Sequence, residues 1–341
     1  MLTWIVILRK ERNDMKLFKR LLTATIAALV LTLFSTSAAY AAPAGEIHGV
    51  WISFQDWQTY LKGKTQPQFD AAFSAMCDTV VANGCNSVIV HVRSHNDAVY
   101  PSNIYPWSSV MLNGANPGFD PLADMVSIAH AKGLSFHAWV NPYGYRNGVY
   151  SGNVALVNQA NIVAGVAEIV SKYAVDGIHF DDYFPPLGAA AHNSMISQVY
   201  NTCHAAGKVF GISPQGNVEN NVAMGADVYT WLSTPGYVDY LAPQIYWTDN
   251  YGAAGNVTMY SNRLNQWASM NKAGITMYVG MALYRAGTPM AADKGWTLKN
   301  NNLQTQANLA AANGFRGYIL FDYADLTKPT AAAELANLRA R

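Results

Sequence analysis

The chain has 341 residues, 51% of them apolar and 13% charged, with 22 Lys and Arg against 21 Asp and Glu. A large core is available, and a net charge of +1 without any Lys/Arg cluster disfavours nucleic acid as a partner. The three cysteines, Cys77, Cys85 and Cys203, match no zinc spacing; Cys77 and Cys85 could pair in an exported chain, or all three could be buried thiols.

The first forty residues read as a targeting segment. Lys16, Lys19 and Arg20 precede an apolar run from Leu21 to Phe34, and Ala39-Tyr40-Ala41 has a small-x-small pattern. This is the form of a secretory signal, cleaved near Ala41. Met15 is a plausible start, which makes 1–14 an upstream extension. The apolar run is shorter than the roughly 20 residues a spanning helix needs, although an uncleaved anchor is the rival reading. The expectation is a secreted or cell-envelope protein, with 1–41 as signal and 42–341 as one domain.

From there strand-like and helix-like segments alternate. The sequence predicts strands over 47–53, 87–92, 134–141, 177–180, 209–213, 240–246, 277–281 and 317–321. Most are continuous apolar runs, as expected of parallel strands covered on both faces. Helices are predicted over 69–83, 122–132, 154–173, 194–206, 222–232, 258–272, 303–313 and 331–338, several of them stopped by a glycine such as Gly84, Gly133, Gly207, Gly274 or Gly314. Eight β/α units without a break predict an α/β fold, a single (β/α)8 TIM barrel. A doubly wound open sheet is the runner-up, but no Gly-rich dinucleotide fingerprint follows the first strand.

Barrel chemistry sits at the C-terminal ends of the strands. Polar residues gather there. The fourth strand ends in Asp181-Asp182, two adjacent carboxylates that repel each other and resist desolvation, a cost usually carried where charge does chemistry. Loop capping is the bland reading of the same pair. Arg93 and Asp97 follow strand two, Asn141 and Tyr143 follow strand three, Glu219 lies beyond strand five, and Gln244, Tyr246 and Trp247 end strand six. Trp51 and Trp139 read equally as barrel packing or sugar platforms. His91, His137 and His179 read as core histidines or site residues. His179 with Asp181 makes no recognised metal set, so no metal or other cofactor is called. Asp176 and Asp239 stand at strand beginnings and read as structural. No Gly-x-Ser-x-Gly is present.

The motifs resemble the glycosyl hydrolase-like 10 family of exported or envelope barrel proteins. They include His48-Gly49-Val50-Trp51, the run from Val92-Arg93 through Asp97 to Tyr100-Pro101-Ser102, and Pro106-Trp107-Ser108. Pro117-Gly118-Phe119-Asp120-Pro121-Leu122, His137-Ala138-Trp139-x-Asn141-Pro142-Tyr143 and Asp176-Gly177-Ile178-His179-Phe180-Asp181-Asp182-Tyr183-Phe184 follow. Gly211-Ile212-Ser213-Pro214 and Asp239-Tyr240-x-Ala242-Pro243-Gln244-Ile245-Tyr246-Trp247 complete the series, in family order. The resemblance implies a barrel that hydrolyses glycosidic bonds, one branch of which acts on peptidoglycan glycan strands stripped of their peptides. It carries Arg93, Asp97, Asn141, Asp181, Asp182, Gln244 and Tyr246 onto this chain. The stretch Gln215-Gly216-Asn217 after strand five departs from the aromatic and basic continuation that the family often has.

Glycoside hydrolysis requires a proton donor and a second group for the cationic centre. The expected pairing is Asp181 or Asp182 with Glu219 or Asp97 across the mouth. The expected substrate contacts are Arg93, Asn141, Tyr143, His179, Gln244, Tyr246, Trp247, Trp51 and Trp139, and the expected partner is a polysaccharide. The stretch 176–183 also echoes a chitinase strand, with His179 in place of an Asp and Tyr183 in place of the catalytic Glu. In that reading the substrate's N-acetyl group is the nucleophile, positioned by Asp181 and Tyr246. A barrel that holds a glycan without cutting it is the non-enzyme alternative.

Overall fold

A computed structural model describes residues 45–146, 148–151 and 154–341. The expected export signal over 1–41 lies outside the described residues. Among the described residues no helix is long and apolar enough to cross a membrane.

The strands are Ile47–Ile52, Ser87–Arg93, Ser135–Val140, Gly177–Phe180, Val209–Ile212, Tyr240–Leu241, the pair Thr276–Met277 and Val279–Met281, and Gly317–Leu320. All run parallel, each beside its successor, and the last pairs back on the first with Ile47 opposite Gly317. The seventh strand comes in two pieces: Thr276–Met277 pairs with the sixth strand and Val279–Met281 with the eighth. The sixth is short because Pro243 has no N–H to give a ladder. Single bridges from Gln215 to Gln244 and from Gln244 to Gly280 carry it onward and complete the ring. The fold is the (β/α)8 barrel that the sequence predicts.

Alternation along each strand sorts side chains between two layers. Trp51, Ile89, Trp139, Tyr240, Tyr278 and Ile319 fill the barrel interior. Val50, Val88, Val90, Val140, Ile178 and Phe180 face outward against the helices. Gly211 lets an interior ring through: a Cβ there would lie 2.1 Å from the Tyr240 ring.

The helices follow the predicted order, with short unpredicted ones such as Gly295–Leu298 between them and an earlier start, at Ala189, for the one predicted from 194. The stretch 222–232 forms two helices, Val218–Ala223 and Val228–Ser233, because Gly225 turns the chain at φ 77° and Asp227 caps the second by accepting from Thr230 N at 3.2 Å. The long helix predicted from 154 begins at Gln159, where the Asn158 side chain accepts from Asn161 N at 2.8 Å. Cys77, Cys85 and Cys203 are free, buried thiols, so the Cys77–Cys85 pairing is not formed. At the barrel's opposite face Asp176 accepts from Phe136 N at 2.8 Å and Asp239 from Phe210 N at 2.7 Å, each also meeting a histidine, His130 and His204. Both acids tie strands together, as their positions at strand beginnings suggested.

Candidate active site

Strand four sets the centre of the site. Its alternation sends Gly177, His179 and Asp181 inward and leaves Asp182 on the rim. Asp181, 4% exposed, lines a cavity of about 260 Å³ at the C-terminal ends of the strands. Its Oδ1 accepts from Asp182 N at 2.8 Å and from Gln244 Nε2 at 3.3 Å. Gln244 is itself anchored by donating to Ser213 O at 2.9 Å. Asp182 lines a second hollow of about 240 Å³ with Asn217, Trp247 and Tyr284. The two hollows share Gln244 and Tyr246, so the acidic pair stands at their junction.

Burial raises the pKa of both carboxyls. Asp182 rises well above the usual carboxylate range, because the Asp181 charge lies beside it and the two side chains are hydrogen-bonded. Two like charges this close hold one proton between them. The two side chains are hydrogen-bonded to each other, so the proton belongs to the pair. Arg146 opposes both rises.

The floor is a hydrogen-bonded stack. Trp51 Nε1, which can only donate, gives its hydrogen to His179 Nε2 at 3.2 Å. The His179 proton therefore sits on Nδ1 and is donated to Tyr240 OH at 2.9 Å, and that hydroxyl donates to His137 Nδ1 at 3.1 Å. Burial pushes His179 well below the usual imidazole range and His137 down to about 4, so both rings stay neutral. Above them His91 stacks on Trp139 with ring centres 3.4 Å apart and accepts from Phe54 N at 3.1 Å. Burial and the nearby Arg146 keep that ring neutral too.

The pattern of one family runs along this barrel, over residues 46–155 and 189–298. The chain belongs to the glycosyl hydrolase-like 10 family. Two relatives are glycosyl hydrolase YngK of Bacillus subtilis and glycosyl hydrolase DigH of Escherichia coli. The first is 27% identical over 92% of this chain and 76% of its own length. The second is 29% identical over 76% of each. Among solved structures, the spore cortex-lytic enzyme SleL of Bacillus megaterium shares the fold with a TM-score of 0.55 at 11% identity, over 87% of this chain and 74% of that one. The family's matched segments omit 156–188, so Asp181 and Asp182 lie outside them.

Of the site residues expected from the sequence, Asp181, Asn141, Gln244, Tyr246, Trp51 and Trp139 meet at the inner cavity. Asp182 and Trp247 meet at the outer one. Five others are placed elsewhere. A register shift between His91 and Arg93 turns Arg93 outward, where it is fully buried with its guanidinium 3.6 Å from the Tyr105 ring centre and one nitrogen donating to Pro142 O. Asp97 is buried in the loop beyond strand two and lines neither hollow. Glu219 is on the outside, its side chain 63% exposed and held by Arg263 Nη1 and Gln266 Nε2, each at 3.1 Å. Its own backbone N–H and those partners hold its pKa below the usual range, so it is ionised and unsuited to donating a proton. Tyr143 is buried against His192 Nδ1 at 2.8 Å. His179, with no exposure, supports Trp51 and Ser213 from below.

Several residues at the cavity were not among those expected to act or to bind substrate. Ser53, Phe54 and Gln55 enter from the turn after strand one, and Arg146 from the loop after Tyr143. Arg146 lies between two rings, 4.7 Å from the Phe54 centre and 4.8 Å from that of Tyr183, and its Nη2 donates to Tyr183 OH at 3.1 Å. Asp322 follows cavity-lining Phe321 and accepts from Ser53 Oγ at 3.4 Å. Burial, with Asp56 and Asp325 beside it, raises its pKa to about 8.

Proposed function

We propose that this protein hydrolyses glycosidic bonds in a bacterial cell-wall glycan, with peptide-free peptidoglycan strands as substrate. One observation carries the reading: two adjacent carboxyls, Asp181 and Asp182, stand at the junction of two adjoining hollows. A sugar unit on each side would put the bond between them beside a carboxyl whose pKa is raised by burial and by its neighbour. The half-buried rings of Tyr246 and Trp247 at the outer hollow suit the apolar faces of sugar rings. Membership of a glycosyl hydrolase-like family supports the reaction class, and the fold shared with a cortex-lytic enzyme fits the substrate class. An export signal ahead of the barrel would deliver it to the envelope.

Neither Glu219 nor Asp97 faces the cavity, which favours the route in which the substrate supplies the nucleophile. Asp182 gives its proton to the leaving oxygen as the glycosidic bond breaks. The carbonyl oxygen of the sugar's own N-acetyl group bonds to the anomeric carbon. Asp181 accepts from that group's N–H and Tyr246 OH holds its oxygen. Water then attacks the anomeric carbon, its bond to the acetamido oxygen breaks, and the water's proton passes to Asp182.

The test is incubation of the mature protein with peptide-free glycan strands, read by mass spectrometry, beside Asp182→Asn. Shortened strands with the parent alone support the proposal. Strands bound but uncut by the parent would make the barrel a carbohydrate-binding module.

A further inference from the structure

We propose that Arg146 sets substrate specificity by binding a free carboxylate carried on the glycan at the inner hollow. The inference takes its substrate from the hydrolase reading, but its test does not require turnover. Arg146 lines the cavity and is half-buried there. Its plane is clamped between Phe54 and Tyr183, and one nitrogen is used by the Tyr183 hydroxyl. Among the described residues no carboxylate forms an ion pair with it. A guanidinium stays charged at any pH the protein meets and carries five N–H donors. Here two rings lie against the guanidinium and most of its donors are unspent.

The clamp has a consequence for binding. A side chain already fixed in one orientation loses little freedom when it takes a ligand. A flat, fixed donor fork matches a carboxylate with two parallel hydrogen bonds, the strong charge-assisted kind. The proton shared by Asp181 and Asp182 also reduces the negative charge that an incoming anion would meet.

The chemistry of the glycan then decides what is read. In a peptidoglycan strand the lactyl ether of every second sugar ends in a carboxyl group. While the stem peptide is attached, that group is an amide and carries no charge. Removing the peptide restores the carboxylate. Arg146 would thus favour stripped strands over peptide-bearing ones without any contact to the peptide. A uronic acid offers the same carboxylate chemistry from a different position on the ring.

The experiment compares four ligands: peptide-free strands, the same strands with carboxyls converted to methylamides, chito-oligosaccharides, and an oligosaccharide alternating N-acetylglucosamine with glucuronate. Binding is read by tryptophan fluorescence, since Trp51 and Trp139 line the cavity, and cleavage by mass spectrometry. A charge-assisted hydrogen bond contributes roughly 1.5–3 kcal/mol, about tenfold to hundredfold in affinity. The parent should therefore bind native strands at least about tenfold more tightly than the methylamides. Arg146→Gln should remove that preference, weakening the charged strands at least about tenfold more than the amidated and chito ligands, and Arg146→Lys should keep part of it. Tight binding of the glucuronate oligosaccharide alone would assign the site to uronates and overturn the peptidoglycan source. Equal binding of charged and neutral strands by the parent would overturn the inference, as would a uniform loss across all ligands in Arg146→Gln or no binding of any of them. Arg146-dependent preference without cleavage would uphold it and reject the hydrolase reading; cleavage without preference would do the reverse.

Discussion

Replacing Asp322 by Asn should stabilise the protein at neutral pH and leave it nearly unchanged in acid. Asp322 is 7% exposed, and burial beside Asp56 and Asp325 raises its pKa to about 8. An unfolded aspartate titrates near about 3.9. Between those values the native state holds a proton that the unfolded state has released, so stability falls as pH rises from about 4 to about 8. At pH 7 the gap is roughly three units, about 4 kcal/mol at ~1.36 kcal/mol per unit. Sharing of the charge with Asp56 and Asp325, together with local relaxation, leaves about half, roughly 2 kcal/mol. Asparagine has no proton to lose, and its amide N–H can replace the carboxyl O–H that Asp322 gives to Asp325. In a chain of this size the gain is about 3 °C in Tm at pH 7.5, shrinking towards zero at pH 4.5. Thermal melts of parent and variant at both pH values measure it. An equal offset at the two pH values, or a less stable variant at pH 7.5, would refute the argument from proton linkage.

Asp182→Asn should cost about a hundredfold or more in kcat on peptide-free strands, the contribution of a proton donor, with single-turnover rates as the check. Asp181→Asn should lower the rate as well and also move the alkaline limb of its pH profile to lower pH, because Asp182 loses the neighbouring charge that raises it; an unmoved limb would sever the two groups. Gly211→Ala drives a Cβ to 2.1 Å from the Tyr240 ring and should destabilise by about 3 kcal/mol, read as a lower urea midpoint. Burial pushes Cys77 and Cys85 up to about 12, so a thiol reagent at pH 8 should label neither until the chain unfolds. Prompt labelling of the native protein would contradict their burial.

The barrel was legible because its strands are buried on both faces and read as unbroken apolar runs, punctuated by glycine stops. Local exceptions came from single residues: Pro243 cuts the sixth strand's ladder, and Gly225 divides one predicted helix. The site was legible where alternation holds. Asp181 follows Gly177 and His179 inward, and Gln244 follows Tyr240 and Ala242. Arg93 shares the inward parity of Ile89 and His91, yet the register shift after His91 sends it out. Asp97, Tyr143 and Glu219 sit in loops, where no period constrains a side chain. For the same reason Arg146 and Phe54 were invisible: 92 positions of sequence separate them, and only the closed barrel brings them together.

The stack from Trp51 through His179 and Tyr240 to His137 plugs the axis of the molecule. A sugar arriving at the mouth finds a solid bed, not a shaft, and must recline across the top of the staves. Its neighbours on the polymer then extend sideways past the edge. Lengthening or trimming the surrounding loops would alter which linkages fit while the plug stays as it is.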